Sequence, residues 1–167
     1  MKAEKSSDDR ELPIFDLDRH DQHKSLVAVI MGRFFLRYLN LLYRVFEGDL
    51  MLPIVLGEIA HHNLFRFYSL KDDCIAINKR AANYAVRMKH LDPTNAYSIS
   101  QATGIPRETV RRKIDKLQQK GWAVKSDRGE VVMSETVSDH FTKGFNKKIL
   151  AELLQTSESI RNLLKPA

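Results

Sequence analysis

The chain has 167 residues, 43% of them hydrophobic and 29% charged, which is enough for one domain with a substantial core and excludes a disordered composition. The formal net charge of +6 favours a polyanionic partner, either nucleic acid or a membrane surface. A single cysteine, Cys74, excludes a disulfide framework, and residues 1–11 lack the apolar run of a signal peptide, so we expect a cytoplasmic protein.

The N-terminal part is expected to be a flexible arm, over residues 1–21, followed by an amphipathic helix within 22–48. The polar residues of this helix recur at spacings of 4, 3 and 4, on one helical face: Arg33, Arg37, Asn40 and Arg44. The stretch 26–46 approaches the length that crosses a bilayer. A central arginine costs about 2.5–3.5 kcal/mol on the insertion scale, so three of them offset most of the apolar contribution. The sequence therefore predicts no membrane span, and a helix that ends near Gly48.

The next part of the chain predicts two more helices and a turn. An apolar helix is expected over 49–68, with Asp49 as its N-cap. Another is expected over 77–91, where several alanines favour a helix, and the residues 92–95 (Asp-Pro-Thr-Asn) signal a turn. The segment 70–95 is interpreted as an insertion before the motif that follows.

The last segment, 135–167, predicts a long helix with Gly144 as a candidate kink. Its apolar residues recur at spacings of 4 and 7: Val137, Phe141, Phe145, Ile149, Leu153, Ile160 and Leu164. Together with the helix in 22–48, this stripe presents more apolar surface than one small unit covers. The sequence therefore predicts a homodimer held by the two flanking helices.

Between these flanking helices lies a motif of two helices and a hairpin. Ser98 is expected to cap a short helix that ends at Gly104, where a left-handed residue is needed. Pro106 then begins a second helix, 106–120, which ends at Gly121. Its apolar residues lie at i, i+4 and i+7 and predict one buried face: Val110, Ile114 and Leu117. The segment 122–134 predicts two short strands joined by a turn with Asp-x-Gly chemistry.

The order of these elements is helix, tight glycine turn, basic helix and basic hairpin. The stretch GIPRETVRRKIDKLQQKGWAV resembles the recognition helix and first wing strand of the winged helix-turn-helix transcriptional regulators of bacteria. The long helices on both sides look most like those of MarR-type dimeric regulators. The resemblance implies a mainly α fold with a small β-hairpin wing. It places a winged helix-turn-helix at 49–134, flanked by dimerisation helices at 22–48 and 135–167.

The charge of the chain is concentrated in this motif. Residues 106–128 contain eight basic and three acidic residues, a balance of +5. With the apolar face turned to the core, Arg112 and Thr109 are expected to reach base edges, and the other cations to contact the DNA backbone. The predicted DNA-binding residues are Arg107, Thr109, Arg111, Arg112, Lys113, Lys116, Lys125 and Arg128.

The pattern predicts a sequence-specific regulator that binds double-stranded DNA as a homodimer, with helix 106–120 in the major groove. Three alternatives stay open. One is an RNA-binding or plasmid-replication protein, and another is a protein–protein interaction module on the same scaffold. The third is a solvated charged face on a structural helix. The sequence does not predict an enzyme, because it has no glycine-rich phosphate loop and no GxSxG motif.

A small-molecule effector pocket is a further hypothesis, drawn from the aromatic residues of the first two helices. The candidate lining is Phe34, Arg37, Tyr38, Tyr43, His62, Phe65 and Tyr68. No cofactor is expected. No metal site is expected either, because adjacent histidines such as His61 and His62 point about 100° apart on a helix and rarely share an ion.

Overall fold

The computed structural model describes residues 15–69 and 91–165. Over these ranges the chain is mainly helical with one antiparallel pair of strands, as predicted. The elements are α1 (Leu17–Val45), α2 (Met51–Ser69), α3 (Ala96–Thr103), α4 (Arg107–Gln119), β1 (Ala123–Lys125), β2 (Val131–Met133), α5 (Glu135–His140), a π-helical turn (Phe141–Phe145) and α6 (Asn146–Leu164). Cys74 and the predicted helix 77–91 lie outside the described residues, apart from Leu91, which is not helical.

The chain divides into two compact units. Unit 1 comprises residues 1–40 and 148–167, and unit 2 comprises residues 41–147.

In unit 1, α1 and α6 contact each other in antiparallel order. The backbone N–H of Asp16 donates to the carbonyl of Leu164 (3.3 Å), and Arg37 forms an ion pair with Glu152 (2.7 Å). The Asp16 carboxylate accepts a hydrogen bond from the backbone N–H of Arg19 (3.0 Å) and so caps α1. The expected flexible arm is therefore wrong for residues 17–21, because this cap starts the helix at Leu17, five residues before the predicted start at 22.

Helix α1 has a buried side, a polar stripe and an exposed apolar side. Val27 is buried, and the stacked rings of Phe34 and Tyr38 (6.2 Å) are only partly exposed. The predicted polar stripe is exposed. Several large apolar side chains are also more than 40% exposed: Leu26, Val29, Met31, Phe35, Leu36 and Leu39. By length and composition alone α1 is able to cross a membrane, and little of it is buried within the chain.

Unit 2 has a core formed by α2, α3, α4 and the hairpin. Its fully buried side chains include Leu52, Val55 and Ile59 of α2. Phe46, which follows α1, packs edge-on against Trp122 (5.4 Å) and stacks on Phe141 (5.8 Å). Phe141 begins the π-helical turn that interrupts the predicted C-terminal helix, and the candidate kink Gly144 lies inside that turn.

A buried asparagine joins the hairpin to α2. The side-chain amide of Asn63 donates to the carbonyls of Asp92 (2.6 Å) and Val131 (3.4 Å), and its oxygen accepts from the backbone N–H of Met133 (2.8 Å). On the same edge of β2, the backbones of Thr94 and Val131 exchange two hydrogen bonds (3.0 and 2.7 Å). These contacts fix the hairpin against the body of unit 2.

Candidate nucleic-acid interface

The short helix α3 and the turn after it are defined by local hydrogen bonds. The side-chain oxygen of Asn95 accepts from the backbone N–H groups of Tyr97 (3.0 Å) and Ser98 (3.1 Å). The prediction of Ser98 as the cap is wrong, because Asn95 has the extended backbone of a cap residue and fills that role three positions earlier. The predicted end of the helix at Gly104 is confirmed, with φ of 70° in the left-handed region.

Helix α4 has the predicted buried face. Val110, Ile114 and Leu117 are each at most 1% exposed and belong to the core of unit 2. Pro106 directly precedes the first helical residue, and Gly121 ends the segment with φ of 70°. Because this face is buried, the opposite face, which carries Arg112, is held outward to solvent.

The hairpin follows α4 and is fastened to it. Strand β1 pairs with β2 in the register Ala123 with Met133 and Lys125 with Val131. Gly129 in the connecting turn has φ of 80°, a conformation that favours glycine. The ammonium group of Lys125 lies 3.1 Å from the carboxylate of Asp115 on α4. A cation that was predicted to contact DNA thus also anchors the hairpin to the helix.

Three of the eight cations in 106–128 form no ion pair with the residues that the structure describes. They are Arg107 and Arg112 on α4 and Arg128 in the hairpin turn, and all three are exposed. Thr109, another predicted contact, is only partly exposed. The available positive charge is therefore carried by guanidinium groups, which present a planar fork of donors suited to phosphates and guanine edges.

Arg111 is less available than predicted. Its guanidinium donates two hydrogen bonds to Glu108 (2.9 and 2.7 Å) and lies 3.6 Å from Asp115. The hydrogen bonds with Arg111 hold the pKa of the Glu108 carboxyl below its usual value and raise the pKa of Arg111 itself. The pair is solvent-exposed, so it is easily broken by a competing phosphate.

The lysines of α4, and Lys120 directly after it, contact two acidic residues that were not predicted to belong to the interface. Asp49 was predicted as an N-cap, but its carboxylate accepts hydrogen bonds from Lys113 (2.8 Å) and Lys116 (3.3 Å). Glu47 accepts one from Lys120 (2.8 Å). Neither partner is encoded by local spacing, since Asp49 and Lys113 are 64 positions apart.

These contacts shift the titration of both acids. Partial burial raises the pKa of Asp49, but hydrogen bonds from Lys113 and Lys116 lower it by more, so that the net pKa lies below its usual value. The hydrogen bond from Lys120 likewise lowers the pKa of Glu47. Both carboxylates are therefore charged at neutral pH.

The lowered pKa of Asp49 predicts a pH-dependent contribution to stability. A carboxyl whose pKa is lower in the folded than in the unfolded chain stabilises the fold above the unfolded value, and this contribution is lost as the pH falls through the folded value. We expect Asp49→Asn to be less stable than wild type at pH 7, with the gap closing as the pH falls below the usual aspartate value of 3.8. Urea unfolding at a series of pH values measures the gap, and a gap that stays constant contradicts the ion-pair assignment.

The structure describes the side chains of five of the seven residues of the predicted effector pocket, and two of these five line cavities of unit 1. Unit 1 contains a half-open cavity of about 540 Å³ and a smaller one of about 180 Å³, both lined by α1 and α6. Phe34 lines both cavities and Arg37 lines the smaller one, whereas Tyr38 lines neither. Tyr43 and His62 belong to unit 2, where Tyr43 packs against Gly48. The side chains of Phe65 and Tyr68 lie outside the described residues.

Within residues 15–69 and 91–165, no group of three or more histidine, cysteine or acidic side chains is placed to hold a metal ion. Comparison of the chain with protein-family models, with curated proteins and with solved structures gives no match. The functional interpretation therefore depends on the geometry of unit 2 and on the sequence motif.

Proposed function

We propose that residues 49–134 form a winged helix-turn-helix that binds double-stranded DNA, with α4 in the major groove. The observation that carries this proposal is the exposure of two guanidinium groups, Arg107 and Arg112, which form no ion pair within the described residues, on a helix whose apolar face is buried in the core. The major groove is about 12 Å wide and admits an α-helix. Arginine most often reads the O6 and N7 atoms of guanine, so we assign Arg112 to a guanine in the bound site.

The hairpin supports the same interpretation. It follows α4 directly, is joined to it by the Lys125–Asp115 ion pair, and holds Arg128 at its exposed turn. A cation in that position suits the sugar–phosphate backbone or the adjacent minor groove. Val131 of β2 also pairs with Thr94, so the hairpin is joined to the segment that directly precedes α3.

We further propose that the protein acts as a homodimer through unit 1. Helix α1 packs one side against α6 but leaves Val29, Leu36 and Leu39 exposed on another side. A second copy of the same face covers these residues by twofold symmetry. A twofold dimer presents two reading helices to half-sites one turn apart, about 34–36 Å, which is how an operator is occupied by a transcriptional regulator.

The test of DNA binding is the variant Arg112→Ala, after selection of a preferred duplex from a random pool. We expect affinity for the selected duplex to fall by about 1–3 kcal/mol, with loss of preference at one guanine, because one bidentate base contact is removed. Arg128→Ala should weaken selected and scrambled duplexes alike, because it removes a backbone contact. Fluorescence anisotropy titrations at several salt concentrations measure both effects.

The matched control is Arg33→Ala, which removes the same charge from unit 1 and should leave the selected sequence unchanged. If Arg112→Ala retains the full preference for the selected site, the assignment of the reading face is wrong. Tighter binding to single-stranded RNA than to any duplex favours the RNA-binding alternative. An absence of salt-dependent nucleic-acid binding by wild type favours a protein-interaction module instead.

A further inference from the structure

The turn between α1 and α2 carries two carboxylates that accept hydrogen bonds from lysines of α4 and from Lys120 directly after it. This acidic turn consists of Glu47, Gly48 and Asp49. Glu47 and Gly48 both have left-handed backbone conformations, with φ of 54° and 85°. The ring of Tyr43 lies 3.3 Å from the place where a side chain at Gly48 would begin. Backbone hydrogen bonds from the N–H of Gly48 to the carbonyl of Tyr43 (2.8 Å) and from the N–H of Asp49 to the carbonyl of Phe46 (3.0 Å) join the turn to the end of α1.

The lysine contacts differ in their exposure: the Asp49–Lys113 pair is enclosed at both ends, whereas Lys116 is 41% exposed and Glu47, the partner of Lys120, is 67% exposed. The side chain of Asp49 is 16% exposed and that of Lys113 is 22% exposed. Lys120 is 21% exposed and also lies over the ring of Trp122, with its ammonium nitrogen 5.5 Å from the ring centre. Partly buried pairs are screened less by salt than exposed ones. A DNA phosphate has to displace a carboxylate at these sites, which it does not have to do at Arg107 or Arg128.

The acidic turn also changes the charge that α4 and the hairpin present. The segment 106–128 has a balance of +5, and the two carboxylates of the turn reduce it to 5 − 2 = +3. The three cations that have no ion pair in the described part of the chain are arginines.

We infer that the acidic turn is a clamp that positions α4 through Lys113, Lys116 and Lys120, and that these lysines remain on the clamp when DNA is bound. The phosphate contacts then come from the arginines that form no ion pair with the described part of the chain. Glu47 and Asp49 are positioning residues, which orient the reading helix and suppress binding that depends on charge alone. This inference rests on the proposed DNA binding and specifies which cations carry it.

The salt dependence of DNA binding tests the inference. Each phosphate contact contributes about 0.9 to the slope of log affinity against log salt concentration. We expect the double variant Lys113→Met and Lys116→Met to keep the wild-type slope, whereas Arg107→Ala should flatten it by about 0.9. If the double variant flattens the slope by about 1.8, the lysines contact phosphates and the inference is wrong.

A second variant tests the clamp from its acidic side. Asp49→Asn should steepen the slope and tighten binding to scrambled duplexes, so that the ratio of selected to scrambled affinity falls. An unchanged slope contradicts the claim that Asp49 keeps the lysines away from DNA phosphates.

If methionine at 113 impairs folding, as judged by thermal unfolding, Lys113→Gln replaces it, because the amide keeps a hydrogen bond to Asp49 without the charge. Wild type that fails to bind duplex DNA overturns the proposed function and the inference together, whereas a flattened slope in the lysine variant overturns the inference alone.

Discussion

Replacing Asn63 by alanine is expected to lower the free energy of unfolding by about 2–4 kcal/mol, since it removes three hydrogen bonds, one of them from a buried backbone N–H, and takes side-chain volume out of the core. Asn63 is fully buried and makes three hydrogen bonds, two as donor and one as acceptor. Its loss leaves the backbone N–H of Met133 without the acceptor that it has in the native chain. Urea unfolding followed by circular dichroism measures the change.

The matched control for Asn63→Ala is His62→Ala on the same helix. His62 is exposed, and surface substitutions of this kind usually change stability by less than about 0.5 kcal/mol. A loss below about 1 kcal/mol in Asn63→Ala means that water or a neighbouring group replaces the amide, and the asparagine does not hold the hairpin as described. Because the hairpin carries Arg128, we also expect a parallel loss of DNA affinity at temperatures where the variant begins to unfold.

Features of unit 2 that depend on short-range spacing were predictable from the sequence. The spacing of Val110, Ile114 and Leu117 specifies one helical face, and all three are buried. Gly104 and Gly121 were expected at helix ends, where their left-handed conformations are found. In such cases one residue type is favoured by local backbone geometry, so the sequence alone carries the information.

Contacts between distant parts of the chain were not predictable in the same way. Asn63 and Met133 are 70 positions apart, and Asp49 and Lys113 are 64 apart. Nothing in the local pattern distinguishes Asp49 as a lysine partner from Asp49 as a helix cap, because a carboxylate suits both roles. The same ambiguity explains why Ser98 was predicted as the N-cap of α3, where the structure has Asn95, since both side chains are able to cap a helix.

The hypothesis of an effector pocket shows that the packing partners of aromatic residues are hard to predict from sequence. Aromatic residues at helical spacing predict burial, but not which other helix they pack against. Phe34 lies on the side of α1 that lines the cavities with α6, whereas Tyr43 packs on its own turn in unit 2. Aromatic content alone therefore names candidates for a pocket, and the described candidates belong to both units.

The variant Leu36→Glu is expected to weaken the proposed homodimer about 100-fold or more. Leu36 and Val29 are 64% and 66% exposed and lie seven positions apart, so they share the apolar side of α1 that α6 does not cover. In a twofold interface each substitution occurs twice. Burying an unpaired carboxylate at even about 1.5 kcal/mol per site weakens association by about 3 kcal/mol, which is roughly a factor of 100.

Sedimentation equilibrium measures this effect, and Gln101→Glu is the matched control, because it adds the same charge at an exposed residue of unit 2. We expect wild type and Gln101→Glu at twice the chain mass of 19.3 kDa, and Leu36→Glu near the single mass at micromolar concentration. Circular dichroism establishes that the variant remains helical, and Leu36→Ser serves in its place if it does not.

A wild-type monomer, or a Leu36→Glu dimer as tight as wild type, rules out this face as the interface. If wild type instead binds lipid vesicles and Leu36→Glu does not, the apolar side of α1 contacts a membrane and the dimer proposal is wrong.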